Sequence, residues 1–493
     1  MKFSLLTLSI LVAISFLSGC THVENNQLQP DIVVPEKWKN ATNFTLQNND
    51  IMLQKWQGDD PILAKLQTLL LNNNNDLQVA ALNYARSRVS RKVAESQDQP
   101  QIGLGGAISR QRLSEDGATT RIIDISSSGE QREALIDALT SPYTVFSTGF
   151  DASWEPDLWG KVANKIRAAK AYEEVTINEY KSLNLLLQTE LMRLYTELRT
   201  QQYRLQTLST MLNNVKVQKE LVDTLYHEGL TTRIQSIELA KQANLLEKQI
   251  NVSENLVYLT ANQLTLLVGE QPGKLNSILF DHDNVQLHVF SPLPLRLPSD
   301  VLRQRPDVKV AEAQLKASTA AIGIAQADLY PQFTLTGNIS IEALSSNALS
   351  DWSSRSWQIG PRFYLPIFNR GQLKRQVELT KLEQQQAAIQ YKQKILSAWT
   401  EVDSAINQIT ASATQLSQSN HDLALQQEQL DLIGTQVQEG LDNELPWYNQ
   451  QNQVLNSRLE VAQATFNYNI SQLALYKATG GLPNQDIALD ITP

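Results

Sequence analysis

The segment Gln332-Phe333-Thr334-Leu335-Thr336-Gly337-Asn338-Ile339-Ser340-Ile341 alternates without a slip. Phe333, Leu335, Gly337, Ile339 and Ile341 share one face, and Gln332, Thr334, Thr336, Asn338 and Ser340 share the other. A period of two predicts a β-strand with one apolar side. A second run reads the same way, with Trp357, Ile359, Pro361, Phe363 and Leu365 against Ser356, Gln358, Gly360, Arg362 and Tyr364. Alternation of this kind suits a soluble half-buried sheet as well as a strand in lipid, so the pattern alone leaves both open.

Working outward, the strand pair has an earlier counterpart. Asp76, Ala80, Ser87, Ala94, Pro100, Gln101, Leu104 and Gly106 recur as Asp307, Ala311, Ser318, Ala325, Pro331, Gln332, Leu335 and Gly337 at a constant offset of 231 positions. Further on, Gly149, Gly160, Glu228, Gly229, Leu230 and Gly269 recur as Gly360, Gly371, Glu439, Gly440, Leu441 and Gly480 at an offset of 211. The chain is therefore an internal duplication whose first copy is longer between its two strands, and exposed loops tolerate such length variation. The first strands carry Ile102, Leu104 and Ile108, then Phe146, Phe150, Ala152 and Trp154, and enclose a polar loop from Leu113 to Ser141. The duplication divides the chain into a first repeat, 59–280, and a second, 281–481, each with a short helix, a strand pair and a long helical hairpin. A 20–58 segment precedes them and a 482–493 tail follows.

Each strand pair leads into an unusually long helical pattern. From Lys161 to Tyr226 no proline or glycine intervenes, and Leu187, Leu191, Leu194, Leu198, Leu205, Leu208, Leu212, Val215, Val222 and Tyr226 follow steps of three and four or their sums. Gln372 to Glu439 repeats the rhythm through Ile395, Trp399, Val402, Ile406, Ile409, Ala413, Leu416, Leu423, Leu430 and Val437, broken only by Gly434. Such rods extend roughly 100 Å at 1.5 Å per residue. Their period of 3.5 implies left-handed supercoiling, with the intervening Gln, Asn, Lys and Glu facing water. Each rod ends in a glycine turn, Glu228-Gly229-Leu230 or Glu439-Gly440-Leu441, from which a second helix returns.

Four strands per chain cannot close a barrel, since the smallest transmembrane barrels use eight and an open edge cannot lie in lipid. If the strands enter a membrane, several chains share the barrel; a trimer gives twelve strands and room for water, whereas a dimer gives eight and a filled interior. Composition agrees with strands rather than helices as the membrane contact. The 493 residues have a formal net charge of −9, a mean hydropathy of −0.29 and no later stretch apolar enough for a membrane helix. Mild acidity without a basic run argues against nucleic acid as a partner.

The N-terminus combines Lys2, an apolar run from Phe3 to Leu17, and Leu17-Ser18-Gly19-Cys20. This resembles a lipoprotein signal peptide, 1–19, cleaved to leave the only cysteine first, where diacylglycerol and a fatty acid would be attached; the alternative is an incidental thiol after an ordinary secretion signal. Thr21 rather than Asp after the cysteine implies, on that resemblance, sorting to the outer membrane.

Four further segments carry a resemblance over the whole mature chain: Trp154-Glu155-Pro156-Asp157-Leu158-Trp159-Gly160, Leu302-Arg303-Gln304-Arg305-Pro306-Asp307-Val308, Ala325-Gln326-Ala327-Asp328-Leu329-Tyr330-Pro331 and Pro366-Ile367-Phe368-Asn369-Arg370-Gly371. Together, in this order, they resemble the TolC/OprM-like outer-membrane efflux proteins, in their lipoprotein branch. The resemblance implies a mixed α and β membrane protein. Its homotrimer would form a twelve-stranded β-barrel in the outer membrane of a Gram-negative bacterium, continued into the periplasm by a twelve-helix α-barrel closed at its tip. It also implies a passive exit duct for small molecules, fed by an inner-membrane, proton-driven pump through a periplasmic adaptor. The outer-membrane duct of a type I secretion system and a lipid-anchored structural coiled coil are the alternatives.

Within the signatures, Pro331 and Gly371 are expected to shape junctions between helices and strands, and Trp154 and Gly160 to be structural rather than chemical. Arg303, Arg305 and Asp307 are expected to open a short helix with Pro306 in its first turn, serving caps or ion pairs rather than cargo. The family's closed entrance has an aspartate nine residues beyond the second glycine turn, where this chain has Asn449. That departure leaves Asp442, Glu444 and Glu238 to carry charge at the tip or to be solvated, alongside Tyr226 and the turn residues. The five histidines, His22, His227, His282, His288 and His421, lack metal-ligand spacing, and His282 with His288 reads as an exposed pair before it reads as a metal site. No nucleophile is paired with a base, so no enzyme and no metal are expected.

Overall fold

The computed structural model describes residues 38, 60–118, 120–121, 125, 128–280, 285–293 and 298–481. Cys20, the 1–19 signal, the 20–58 segment apart from Trp38, His22, His282 and the 482–493 tail lie outside them. In chain order the elements are α1 (Pro61–Asn73), α2 (Asn75–Ser96), β1 (Gln101–Gln111), α3 (Glu130–Thr140), β2 (Tyr143–Trp154), α4 (Lys161–His227) and α5 (Arg233–Leu267). A single turn α6 (Asn276–Leu279) follows, then α7 (Pro298–Gln304), α8 (Pro306–Ala327), β3 (Gln332–Ala343), β4 (Arg355–Tyr364), α9 (Gln372–Gln438) and α10 (Glu444–Ala478). The same order of short helices, two strands and a helical hairpin therefore occurs twice. Two particulars differ from the sequence expectation. The polar loop of the first copy contains α3, whose first turn carries Glu130 and Glu133 at the favourable end of the helix dipole. Arg303 does not open a helix; it lies in the last turn of α7, where a cation suits the dipole. As the sequence leads one to expect, α9 runs on through Gly434, because one glycine costs a packed helix only about 1 kcal/mol.

The described residues form two compact units, Arg88–Ala171 with Leu315–Gln386, and 60–87 with Tyr172–Gln314 and 387–481. The first unit holds one antiparallel sheet in the order β1-β2-β3-β4, so strands of both copies join through β2 and β3. Its register aligns Leu104, Phe150, Ile339 and Trp357 in one row across all four strands, and Ile102, Ala152, Gly337 and Ile359 in the next. One face of the sheet is thus apolar from edge to edge, as the alternation predicts. It is also exposed, Ile339 retaining 65% and Trp357 75% of their accessible surface. The opposite face carries Asp151, Ser153, Thr336, Asn338, Gln358 and Arg362.

The second unit is helical. Leu66, Leu70, Leu191, Leu198, Leu264, Val402, Leu475 and Tyr476 lie in its main core, which Trp38 also joins. A second cluster holds α4 between its neighbours, Leu208, Met211 and Val215 meeting Leu246 of α5 and Leu455 of α10. Not every polar position between the apolar ones faces water. Asn214 and Asn452 bond to each other at 3.0 Å while buried, Gln450 reaches Gln426 at 2.7 Å, and Ser412 meets Ser471 at 2.7 Å. Buried side-chain amides persist between helices when each finds a partner.

Candidate functional site

Three places bring together the residues singled out by the sequence. The first is the junction of helix and strand. Asp157 accepts backbone N–H bonds from Val162 and Ala163 at 2.9 and 2.7 Å, capping α4. Gly160 precedes that helix at φ 74°, and Gly371 precedes α9 at φ 78°; the left-handed conformation favours glycine at both. Each offers its carbonyl to the first turn, to Asn164 and Arg375 respectively, at 3.0 Å. Trp159 donates to the Pro331 carbonyl at 2.7 Å while its ring stacks on Tyr330, and Lys161 pairs with Asp328 at 2.7 Å. Trp154 ends β2 and donates to the Asp98 carbonyl at 3.1 Å. These residues bind one another and fix where the strands leave the helices.

The second place is the joint around Arg305. Its side chain, 6% exposed, makes paired bonds to Asp307 at 3.0 and 2.8 Å, reaches Glu401 at 2.7 Å and donates to the Ala478 carbonyl at 2.8 Å. Pro306 is the first residue of α8, and Asp307 also accepts from the Val308 N–H at 3.0 Å. Burial pushes the Asp307 carboxyl up, but the bond and charge of Arg305, with Lys394 at 3.3 Å, outweigh it and hold the group below its ordinary range. A groove of about 1060 Å³ opens beside the joint, lined by Arg305, Asp307, Lys394, Glu401 and Lys477 among others.

The third is the far end of the hairpins. Gly229 (φ 74°) and Gly440 (φ 71°) close α4 and α9 in matching turns: Leu230 donates to the Leu225 carbonyl at 2.8 Å, and Leu441 to that of Gln436 at 2.9 Å. Tyr226, Glu228, Glu439 and Asp442 are exposed at these turns, as is Glu238 on α5. Glu444 starts α10 behind Asn443, whose side chain accepts from the Leu445 N–H at 3.0 Å. Asn449 is the tip residue tied to the other hairpin, its Oδ1 accepting from Gln218 Nε2 of α4 at 3.1 Å. Asp223, missed by the sequence reading, joins α4 to α5 by accepting from Ser236, and its bonds to Lys219 and then Ser236 hold its carboxyl below the usual range. Its only signal is its placement four residues beyond Lys219, which reads equally as a surface pair. His288 acts through its carbonyl, which accepts from Asn469 at 2.7 Å. Among the described residues no three His, Cys, Asp or Glu side chains gather as a metal site, and no helix is long and apolar enough to cross a membrane.

The sequence pattern of the family described as outer membrane efflux protein matches residues 66–270 and 297–481. The chain belongs to that family. Curated relatives agree along the full length. The cation efflux system protein CusC of Escherichia coli O6:H1 is 26% identical over 476 residues, covering 94% of this chain and 96% of its own. The probable outer membrane lipoprotein SilC of Salmonella typhimurium is 26% identical over 494 residues, with 97% and 99% covered. Among solved structures, the Campylobacter jejuni CmeC outer membrane channel superposes with a TM-score of 0.76 at 22% identity, over 92% of this chain and 95% of that one, and so shares the fold. The protein is the outer-membrane component of an efflux system, in a family of channels rather than enzymes.

Proposed function

We propose that three copies of this chain form a continuous exit duct. Twelve strands make a barrel in the outer membrane, and twelve long helices continue it as a tunnel through the periplasm to a closed tip. The observation that carries this reading is the two-faced sheet. Its apolar face is exposed, its other face is polar, and among the described residues its edge strands β1 and β4 have no further strand beside them. In lipid both edges must be paired, which copies of the chain do for one another. The helices support the same arrangement. Leu245, Val252, Leu259 and Leu266 stand seven residues apart on α5 and are all at least half exposed; Ile389 and Leu396, then Leu425 and Leu432, repeat that step on the exposed side of α9. Stripes of that period are coiled-coil seams awaiting a partner helix.

On this reading Cys20 carries the acyl chains, the hairpin turns meet a periplasmic adaptor, and an inner-membrane pump supplies the cargo. Relatives are named for cation, toluene and antibiotic efflux, and a passive duct serves such different small molecules because selection occurs upstream. The test is the purified full chain in a planar bilayer, with its copy number read by native mass spectrometry. A trimer that conducts as a water-filled pore whenever its tip opens is expected; a dimer, or a particle that never conducts, would overturn it.

A further inference from the structure

The apolar face of the sheet holds two charged side chains, both arginines at the loop end of an edge strand. Arg110 stands two residues beyond Ile108 near the end of β1, and Arg355 begins β4 opposite Ile341 and two residues before Trp357. Both are exposed. The Arg355 guanidinium lies 3.9 Å from the ring centroid of Trp352, which is itself 80% exposed. At the opposite, helix end the same face carries Trp154, Phe333 and Phe363 and no cation. Between these ends, from Phe333 to Ile341, eight residue steps span about 27 Å along the strand, or roughly 20 Å after a barrel's usual tilt. That height is close to the ~25 Å apolar band of outer-membrane barrels. The arginines therefore stand at the level of lipid headgroups, on one side of the membrane only.

We propose that Arg110 and Arg355 bind the phosphate of a lipid headgroup in the leaflet at the loop end of the barrel, with Trp352 holding the Arg355 guanidinium in place. The inference rests on the barrel reading. In a closed barrel the edge strands meet, which brings Arg355 of each copy to the same seam as Arg110 of the next. Arginine presents paired donors whose geometry matches two phosphate oxygens, and its stacking on an aromatic ring limits the freedom lost on binding. An arginine that merely reaches from the apolar band toward water has no preference for phosphate.

The experiment is native mass spectrometry of the full-chain protein released from phosphatidylcholine vesicles doped either with lipid A, a bis-phosphorylated glycolipid, or with its dephosphorylated form. The native protein is expected to retain the phosphorylated form preferentially. Arg110→Gln with Arg355→Gln is expected to lower that retention about twenty-fivefold, at about fivefold per arginine, with conductance unchanged. Equal retention of the two glycolipids by the native protein needs no variant to interpret and would overturn the proposal, as would undiminished retention by a conducting double variant. Conductance of the same vesicles reports the barrel separately: a native chain that never conducts overturns the barrel reading, and this one with it.

Discussion

Asn74 and Arg305 occupy corresponding places in the two copies and close the same joint with different chemistry. Asn74 Nδ2 donates to the Leu267 carbonyl at 2.7 Å and Arg305 Nη1 to the Ala478 carbonyl at 2.8 Å; the two carbonyls lie near the ends of the returning helices α5 and α10 and correspond by the 211-residue offset. Asn74 needs nothing more, because its Oδ1 also caps α2 through the Leu77 N–H at 2.9 Å. Arg305 brings a charge into the same confined place and needs Asp307 and Glu401 to balance it.

That difference sets unequal costs. Arg305→Ala leaves Asp307 without its main partner and the Ala478 carbonyl without its donor, for an expected loss of about 3 kcal/mol or more. Asn74→Ala removes a neutral bond and a cap, costing about 1–2 kcal/mol. Thermal unfolding of the two variants should rank them in that order, and equal losses would show the ion pairs to be incidental.

Acid should weaken the second joint and spare the first. The folded pKa of Asp307 lies below its unfolded value, so its contribution is complete above about pH 4 and is lost as pH falls through the lower folded value. Asp307→Asn should therefore be less stable than the native protein at neutral pH, with a gap that closes as the medium is acidified. Unfolding temperatures recorded from pH 7 to pH 2 test this; a gap that stays constant would place the effect in lost packing.

Gly149 and Gly360 correspond in the duplication but sit in different surroundings. A Cβ on Gly149 would stand 2.6 Å from the Ile339 carbonyl oxygen, where β2 meets β3, whereas one on Gly360 meets nothing within 4 Å. Gly149→Ala should impair insertion into liposomes, measured by the gel mobility of folded protein, while Gly360→Ala should insert as the native chain does.

The faces of the sheet give an independent contrast. Lysine at Ile339, between Phe150 and Trp357, is expected to cost about 2–4 kcal/mol per copy near the membrane midplane. Thr336→Lys on the polar face should be much milder; similar damage to folded yield from both would mean that the faces are misassigned, and the opposite ranking that they are reversed.

Much of this architecture was legible because it rests on periodicity. The two-residue alternation of 332–341 and the seven-residue rhythm of the rods report burial directly, so strands, faces and helices could be read residue by residue. What escaped was pairing between distant positions. Asn214, Gln218 and Gln426 look like water-facing residues between heptad apolar positions, yet Asn452, Asn449 and Gln450 meet them across helices. The role of Arg305 was half visible, since Asp307 two residues on suggested an ion pair, but its bond to Ala478 spans 173 residues and leaves no local trace. Helix α3 escaped because it lies within a loop that is polar overall, although Leu135 and Leu139 stand one helical turn apart in it.

Asn449 offers the most direct test of how the entrance is held. Its Oδ1 accepts from Gln218 Nε2, and an aspartate of the same size keeps an acceptor there, so Asn449→Asp adds charge with little loss of contact. On the proposed trimeric arrangement, which places neutral amides at this level, the native protein is expected to conduct with weak dependence on pH and on divalent cations. In that arrangement the variant would bring three carboxylates together, each raising the others' pKa. The variant should thus gain cation selectivity that is present at neutral pH and collapses as pH falls through the raised value. Single-channel recording of both proteins over a pH series decides the matter. Strong divalent block in the native channel, unchanged in Asn449→Asp, would show that the charge at the entrance lies elsewhere, and Asp442, Glu444 and Glu238 are then the carboxylates to neutralise in turn.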